Sequence, residues 1–270
     1  ILLIAAHLAV LAAFKYAGFA ARSINALVPD LLPVFAPALP LGVSFYVFTA
    51  IGYLADVSCG KVAAARSPFR FFVFLAFFGH GPSGPIVRYD QQLPCLDAKA
   101  AERQVSLDRF CYGIKRFVLG LAKKAIIADQ LALIYSRVTS VPAATVPAPA
   151  LVLGYLAYMM QLYFDFSGYS DMAVGLGRIF GFHFPENFRY PFLSGSVTEF
   201  WRRWHISLGS WFRDYVYIPL GGSRCSRSRW LLNVFLVWGL TGLWHGAAWN
   251  FVLWGLLFAV LLTIEKLWLL

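Results

Sequence analysis

Proton chemistry in this sequence would fall first to histidine, the side chain that ordinarily titrates near neutrality. Five histidines are present, at positions 7, 80, 183, 205 and 245. His245 lies near the middle of residues 230–264, a run of 35 residues without a formal charge. An ionisable group in such a run is costly to bury and marks a functional site by default. A neutral imidazole there can accept a proton. Its neighbours Gly242, Trp244, Gly246, Ala247 and Ala248 leave room for a substrate or a second helix to approach. The structural alternative is a histidine hydrogen-bonded to a neighbouring helix.

His205 closes the run Glu199-Phe-Trp-Arg202-Arg203-Trp-His205. It could take a proton, hold an anionic group together with Arg202 and Arg203, or simply sit in the headgroup layer. His80 lies in Gly79-His-Gly-Pro-Ser-Gly-Pro85, where it would line a cavity or fill a loop hydrogen bond. His7 and His183 carry no supporting pattern and read as structural. Asp165 and Asp171 flank Phe-Ser-Gly-Tyr-Ser. They are either a carboxylate pair for acid–base work or ion-pair partners of nearby Lys and Arg. The basic residues 202, 203, 213, 224, 227 and 229 suit either cytosolic topology or a phosphate-bearing donor. No phosphate-binding loop, nucleophile elbow or H-E-x-x-H motif is present. Cys59, Cys95, Cys111 and Cys225 have no metal-ligand spacing, so neither a metal site nor a disulfide framework is expected.

These residues need elements to hold them, and composition says where those elements live. Of 270 residues, 60% are hydrophobic and only 13% charged. A soluble domain has about 25% charged residues, so the chain reads as an all-α integral membrane protein. The net charge of +10 is what Lys and Arg in cytoplasmic loops produce, and it calls for no nucleic acid.

A spanning helix takes about 20 apolar residues. Residues 1–21 qualify, interrupted by Lys15, and so do residues 31–55, with a helix start near Pro40. Residues 71–87 break into the Gly/Pro segment around His80, and 138–164 should turn helical near Pro149. The 35-residue run is too long for one span and should divide near Gly239 to Gly246. Residues 105–135 are amphipathic and basic, suited to an interfacial or short oblique helix. Ser196-Val-Thr-Glu199 is a capping box that starts the helix leading to His205. The chain opens on Ile1 and stops inside an apolar stretch, so one domain over 1–270, cut at both ends, is expected.

Four long motifs stand in order. They are Gln161-Leu-Tyr-Phe-Asp-Phe-Ser-Gly-Tyr-Ser-Asp-Met-Ala-Val-Gly175, Glu199 through His205-Ile-Ser-Leu, Asp214-Tyr-Val-Tyr-Ile-Pro-Leu-Gly-Gly222, and Gly242-Leu-Trp-His-Gly-Ala-Ala-Trp249. With Phe14-Lys-Tyr16 and Pro40-Leu-Gly-Val-Ser-Phe-Tyr46, they resemble the membrane-bound O-acyltransferases (MBOAT), in particular the alginate O-acetyltransferase type. Phe78-Gly79 stands where such proteins often have Phe-Pro.

The resemblance implies a multi-span helical bundle with re-entrant and interfacial helices in the bacterial inner membrane. It also implies His205 and His245 as the two characteristic histidines. On that reading an acetyl thioester, from coenzyme A or an acyl carrier, is the cytosolic co-substrate, and no cofactor stays bound. An exported polysaccharide such as alginate is acetylated with periplasmic acetyltransferase partners, amid membrane lipid. D-alanyl transfer to teichoic acids on the same fold, or a transporter or scaffold, are the alternatives.

Overall fold

Helices account for all the regular structure in a computed structural model that describes residues 1–35, 37–77, 84–97 and 106–269; none of these forms a strand. The first apolar run becomes α1 (Leu2–Leu11) and α2 (Ala17–Asn25), joined through a π-helical turn at Ala12–Tyr16 into a continuous apolar helix, Leu2–Asn25. α3 (Val43–Ser58) begins after Gly42, whose φ of 73° is open to glycine and strained for other residues. α4 (Pro68–Leu75) starts on its proline, and α5 spans Tyr89–Asp97. α6 (Leu107–Ala122) passes through a π turn, Lys123–Ala128, into α7 (Asp129–Thr139).

α8 (Ala148–Ile179) starts where the prolines predict, but it runs 15 residues past position 164. At ~48 Å it is longer than a bilayer core is thick. Beyond 164 its buried face is small and polar, including Ser167, Gly168, Ser170 and Asp171, so protein rather than lipid covers it. α9 (Val197–Arg203) and α10 (Ile206–Phe212) are short, and a π turn, Arg213–Tyr217, follows them. The 35-residue run divides into α11 (Arg227–His245) and α12 (Trp249–Ile264), the latter continued by a π turn, Glu265–Leu269. The break falls at 246–248, beginning on Gly246, the last of the expected glycines, and Gly246 and Ala248 are both extended.

Two compact units are distinguished. The first comprises the described residues of Ile1–Ala76, Arg88–Asp90 and Arg189–Leu270. Here α11 and α12 form an antiparallel hairpin in which Gly242 and Gly255 admit the facing backbone. Phe48 of α3 stacks on Trp211 at 4.0 Å, and the Trp211 indole N–H donates to the Phe48 carbonyl at 2.9 Å. Below that pair the Tyr215 hydroxyl donates to buried Asp56 at 2.6 Å. Arg88 lies over the Tyr215 ring and bonds Asp214 at 2.6 Å.

The second unit comprises the described residues of Phe77–Val87 and Gln91–Phe188. Its frame is α6–α7 packed antiparallel on α8. Gly113 faces Gly175, Gly120 faces Gly168, and Val138 faces Gly154. Glycine lets the two backbones touch at the first two crossings and makes room for the Val138 side chain at the third, the kind of packing by which apolar helices associate without a hydrophobic driving force.

Each of the four π turns among the described residues carries a charged side chain that bonds inward or into an ion pair: Lys15, Lys123 and Lys124, Asp214, and Glu265. A π turn adds a residue to the helical circuit. It can therefore rotate one polar side chain toward protein within an otherwise apolar helix.

Candidate active site

The capping box forms as its sequence predicts. The Ser196 hydroxyl accepts from the Glu199 N–H at 3.0 Å, and the Glu199 carboxylate reaches back to the Gly195 N–H at 2.8 Å. Glu265, from the far end of the α12 hairpin arm, supplies a second cap: its carboxylate accepts from the Val197 N–H at 2.6 Å and the Thr198 N–H at 2.8 Å. One face of α9 then docks through Trp201, whose ring lies 4.7 Å from Trp238, 4.8 Å from Phe258 and 5.7 Å from Trp254. On the other side Arg203 pairs with Glu199, one helical turn away, and Arg202 is exposed.

Fixed in this way, the chain turns sharply at His205. That residue adopts a left-handed φ of 46°, rare for a residue with a Cβ, and this conformation separates α9 from α10. Strained backbone of this kind costs about 1–3 kcal/mol and gathers at functional sites. The residue is 3% exposed. Burial pushes its pKa down to about 3, and the neighbouring His245 pushes in the same direction, so the imidazole is neutral at physiological pH.

His245 is the last residue of α11, where the hairpin opens. Trp244 and Trp254 flank it edge-on, each with its ring centre 5.0 Å away, yet one side of the imidazole is open. Within the described residues no hydrogen bond or ion pair engages its ring nitrogens. Trp244 also meets the His205 ring, at 5.9 Å, so one indole touches both imidazoles. The carbonyls of this last helical turn are held from α1–α2: Lys15 donates to the Trp244 carbonyl and Tyr16 to the Leu243 carbonyl, the latter at 2.9 Å. The geometry can serve proton transfer at His245, with a neutral second imidazole behind it. The sequence marks Lys15 and Tyr16 only as a charge interrupting an apolar run and as part of the short Phe14-Lys-Tyr16 motif, neither of which assigns them to the site.

A model of the membrane-bound O-acyltransferase family matches residues 63–270. The chain belongs to the membrane-bound O-acyltransferase family. It is 45% identical over 263 residues to a probable alginate O-acetylase of Azotobacter vinelandii, covering 96% of this chain and 52% of that protein. It is 33% identical to a peptidoglycan O-acetyltransferase of Helicobacter pylori, over 97% of this chain and 54% of that one. To a teichoic acid D-alanyltransferase of Bacillus subtilis it is 34% identical, over 83% of this chain and 58% of that one. The chain thus spans about half the length of the curated relatives it matches.

Within this chain His205, Trp244, His245, Arg202 and Arg203 all lie in the first unit. Asp165 and Asp171 lie in the second, among cations. Asp171 accepts from Arg116 at 2.6 and 2.9 Å and from Lys123 at 2.6 Å, while Asp165 pairs with Lys124 at 2.9 Å. His80 lies outside the described residues. No group of three or more His, Cys, Asp or Glu among the described residues could hold a metal ion.

Proposed function

We propose that the protein containing this chain is a membrane-embedded O-acyltransferase. It moves an acetyl group from a cytosolic thioester donor, on coenzyme A or an acyl carrier, toward an exported polysaccharide such as alginate. One observation carries the assignment of the site: a single indole, Trp244, stands between a buried, neutral, backbone-strained His205 and an open His245. His245 acts as the general base on the acceptor hydroxyl, a role worth about 10²- to 10⁴-fold in rate. His205 orients the donor or shares the proton transfer, and Arg202 and Arg203 face the donor's anionic groups. Acetyl is preferred to D-alanyl because identity to the alginate O-acetylases, at 45%, exceeds the 34% to the Bacillus D-alanyltransferase.

The chain crosses the bacterial inner membrane several times and works with periplasmic acetyltransferase proteins. Leu2–Asn25 and Trp249–Leu269 are long and apolar enough to cross, with Val43–Ser58 shorter. Exposed leucines on α8 and α12, such as Leu153 at 59% and Leu253 at 63%, favour lipid or protein cover for further helices.

The test is acetylation of exported polysaccharide at matched membrane levels of full-length variants. His245→Ala should lower it by at least ~10²-fold. His205→Ala should impair it less, and His7→Ala and His183→Ala should change little. Near-normal acetylation by His245→Ala, with loss in His183→Ala, would overturn the assignment.

A further inference from the structure

Lys15, beside the two histidines, carries a burial cost that the proposed site does not explain. It sits in the apolar helix Leu2–Asn25, at its π turn. Its ammonium is half-buried and donates to two neutral acceptors, the Trp244 carbonyl and, at 3.3 Å, the Ser44 hydroxyl. Of its three N–H donors, one is left over. Among the described residues no carboxylate pairs with it. The Trp244 and Tyr16 rings lie 5.6 and 5.9 Å away, and the Trp244 indole N–H is itself buried without a hydrogen-bond partner. A half-buried cation held by neutral acceptors and ring quadrupoles, with no carboxylate, gives an anion arriving beside it more than it would gain in water.

Acyl transfer at His245 generates such an anion. The acceptor hydroxyl oxygen bonds to the thioester carbonyl carbon while its proton passes to the His245 imidazole. The carbonyl π pair moves onto oxygen, forming an oxyanion. On collapse that pair reforms the carbonyl, the carbon–sulfur bond breaks, and the imidazolium returns its proton to the departing sulfur. The oxyanion forms next to the residue whose carbonyl Lys15 holds. We propose that Lys15 is a catalytic residue that stabilises this oxyanion with its remaining N–H and its charge. The proposal rests on the reading of His245 above.

Steady-state kinetics of the full-length enzyme, with donor and acceptor varied separately, test it. Lys15→Met should lower kcat by about 10²- to 10³-fold, the range for losing one oxyanion donor, with each KM changed only a few-fold. Lys15→Arg, which keeps the charge, should recover part of that loss. Tyr16→Phe removes the adjacent carbonyl clamp without touching charge and should stay within several-fold of wild type. Lys15→Gln keeps a donor for the Trp244 carbonyl while removing the charge and the spare N–H, so it decides the matter if the Met variant does not fold. A Gln or Met variant with near-normal kcat, a loss confined to KM, or a loss no larger than that of Tyr16→Phe would overturn the proposal. If His245→Ala retained transfer, the site reading itself would fall; if it lost transfer while Lys15→Met did not, only the role of Lys15 would.

Discussion

The Trp244 indole stands edge-on to the His205 imidazole, their ring centres 5.9 Å apart, and the same indole is buried against Phe45 and Phe48 of α3. The distance between the two histidines is therefore set by how Trp244 packs. Removing it should cost stability and function together. Trp244→Ala should lose about 3–5 kcal/mol, as large-to-small changes of buried aromatics do, and most transfer activity. Trp244→Phe should keep more of both. Thermal unfolding in detergent, with activity at matched folded protein, is the check; an Ala variant equal to wild type in both would refute this dependence.

His205 makes stability depend on acid. Its pKa in the folded chain is about 3, from an ordinary 6.5, so the unfolded chain binds the proton more readily. The resulting stability is fully present above pH 6.5 and lost as pH falls toward 3. Across that window one such group gives a slope of up to about 1.4 kcal/mol per pH unit. The melting temperature should therefore fall less steeply between pH 7 and about pH 5 in His205→Gln than in wild type. Parallel curves for the two proteins would count against a neutral, buried His205.

Glycine is needed at some helix crossings and not at others. A Cβ at Gly120 would lie 2.5 Å from the Gly168 carbonyl oxygen, whereas one at Gly239 would meet only Leu256, at 4.0 Å. Gly120→Ala should force α6 off α8 and lower the melting temperature. Gly239→Ala should be neutral or stabilise by up to about 1 kcal/mol, the helix preference of Ala over Gly. The reverse ranking in unfolding experiments would show that the α6–α8 contact is looser than described.

Asp171 should behave as a structural anion. It is 8% exposed and bridges Arg116 and Lys123, while Arg116 also has Glu186 at 2.5 Å. Asp171→Asn leaves Lys123 without its carboxylate and should cost about 1–3 kcal/mol, short of the 3–5 seen for fully buried pairs, because both cations keep some solvent. Transfer per folded molecule should be unchanged. A loss of kcat at full stability would instead place Asp171 in the chemistry.

Composition and spacing alone determined the helical class, the capping box at Ser196, the division of residues 230–264, and the two histidines as the residues to weigh. These are local properties, set by apolar run length against bilayer thickness and by cap chemistry within four residues. Only the tertiary structure decided that α8 runs on to Ile179, because the cover for its small polar face comes from Gly113 and Gly120 on a different helix. It also decided that Asp165 and Asp171 are occupied by lysines and an arginine some 40 to 55 positions away. The bond from Lys15 to the carbonyl beside His245 spans 229 positions and depends on a π turn that rotates one side chain inward. No periodicity in the sequence encodes that rotation, because it follows from what the helix packs against.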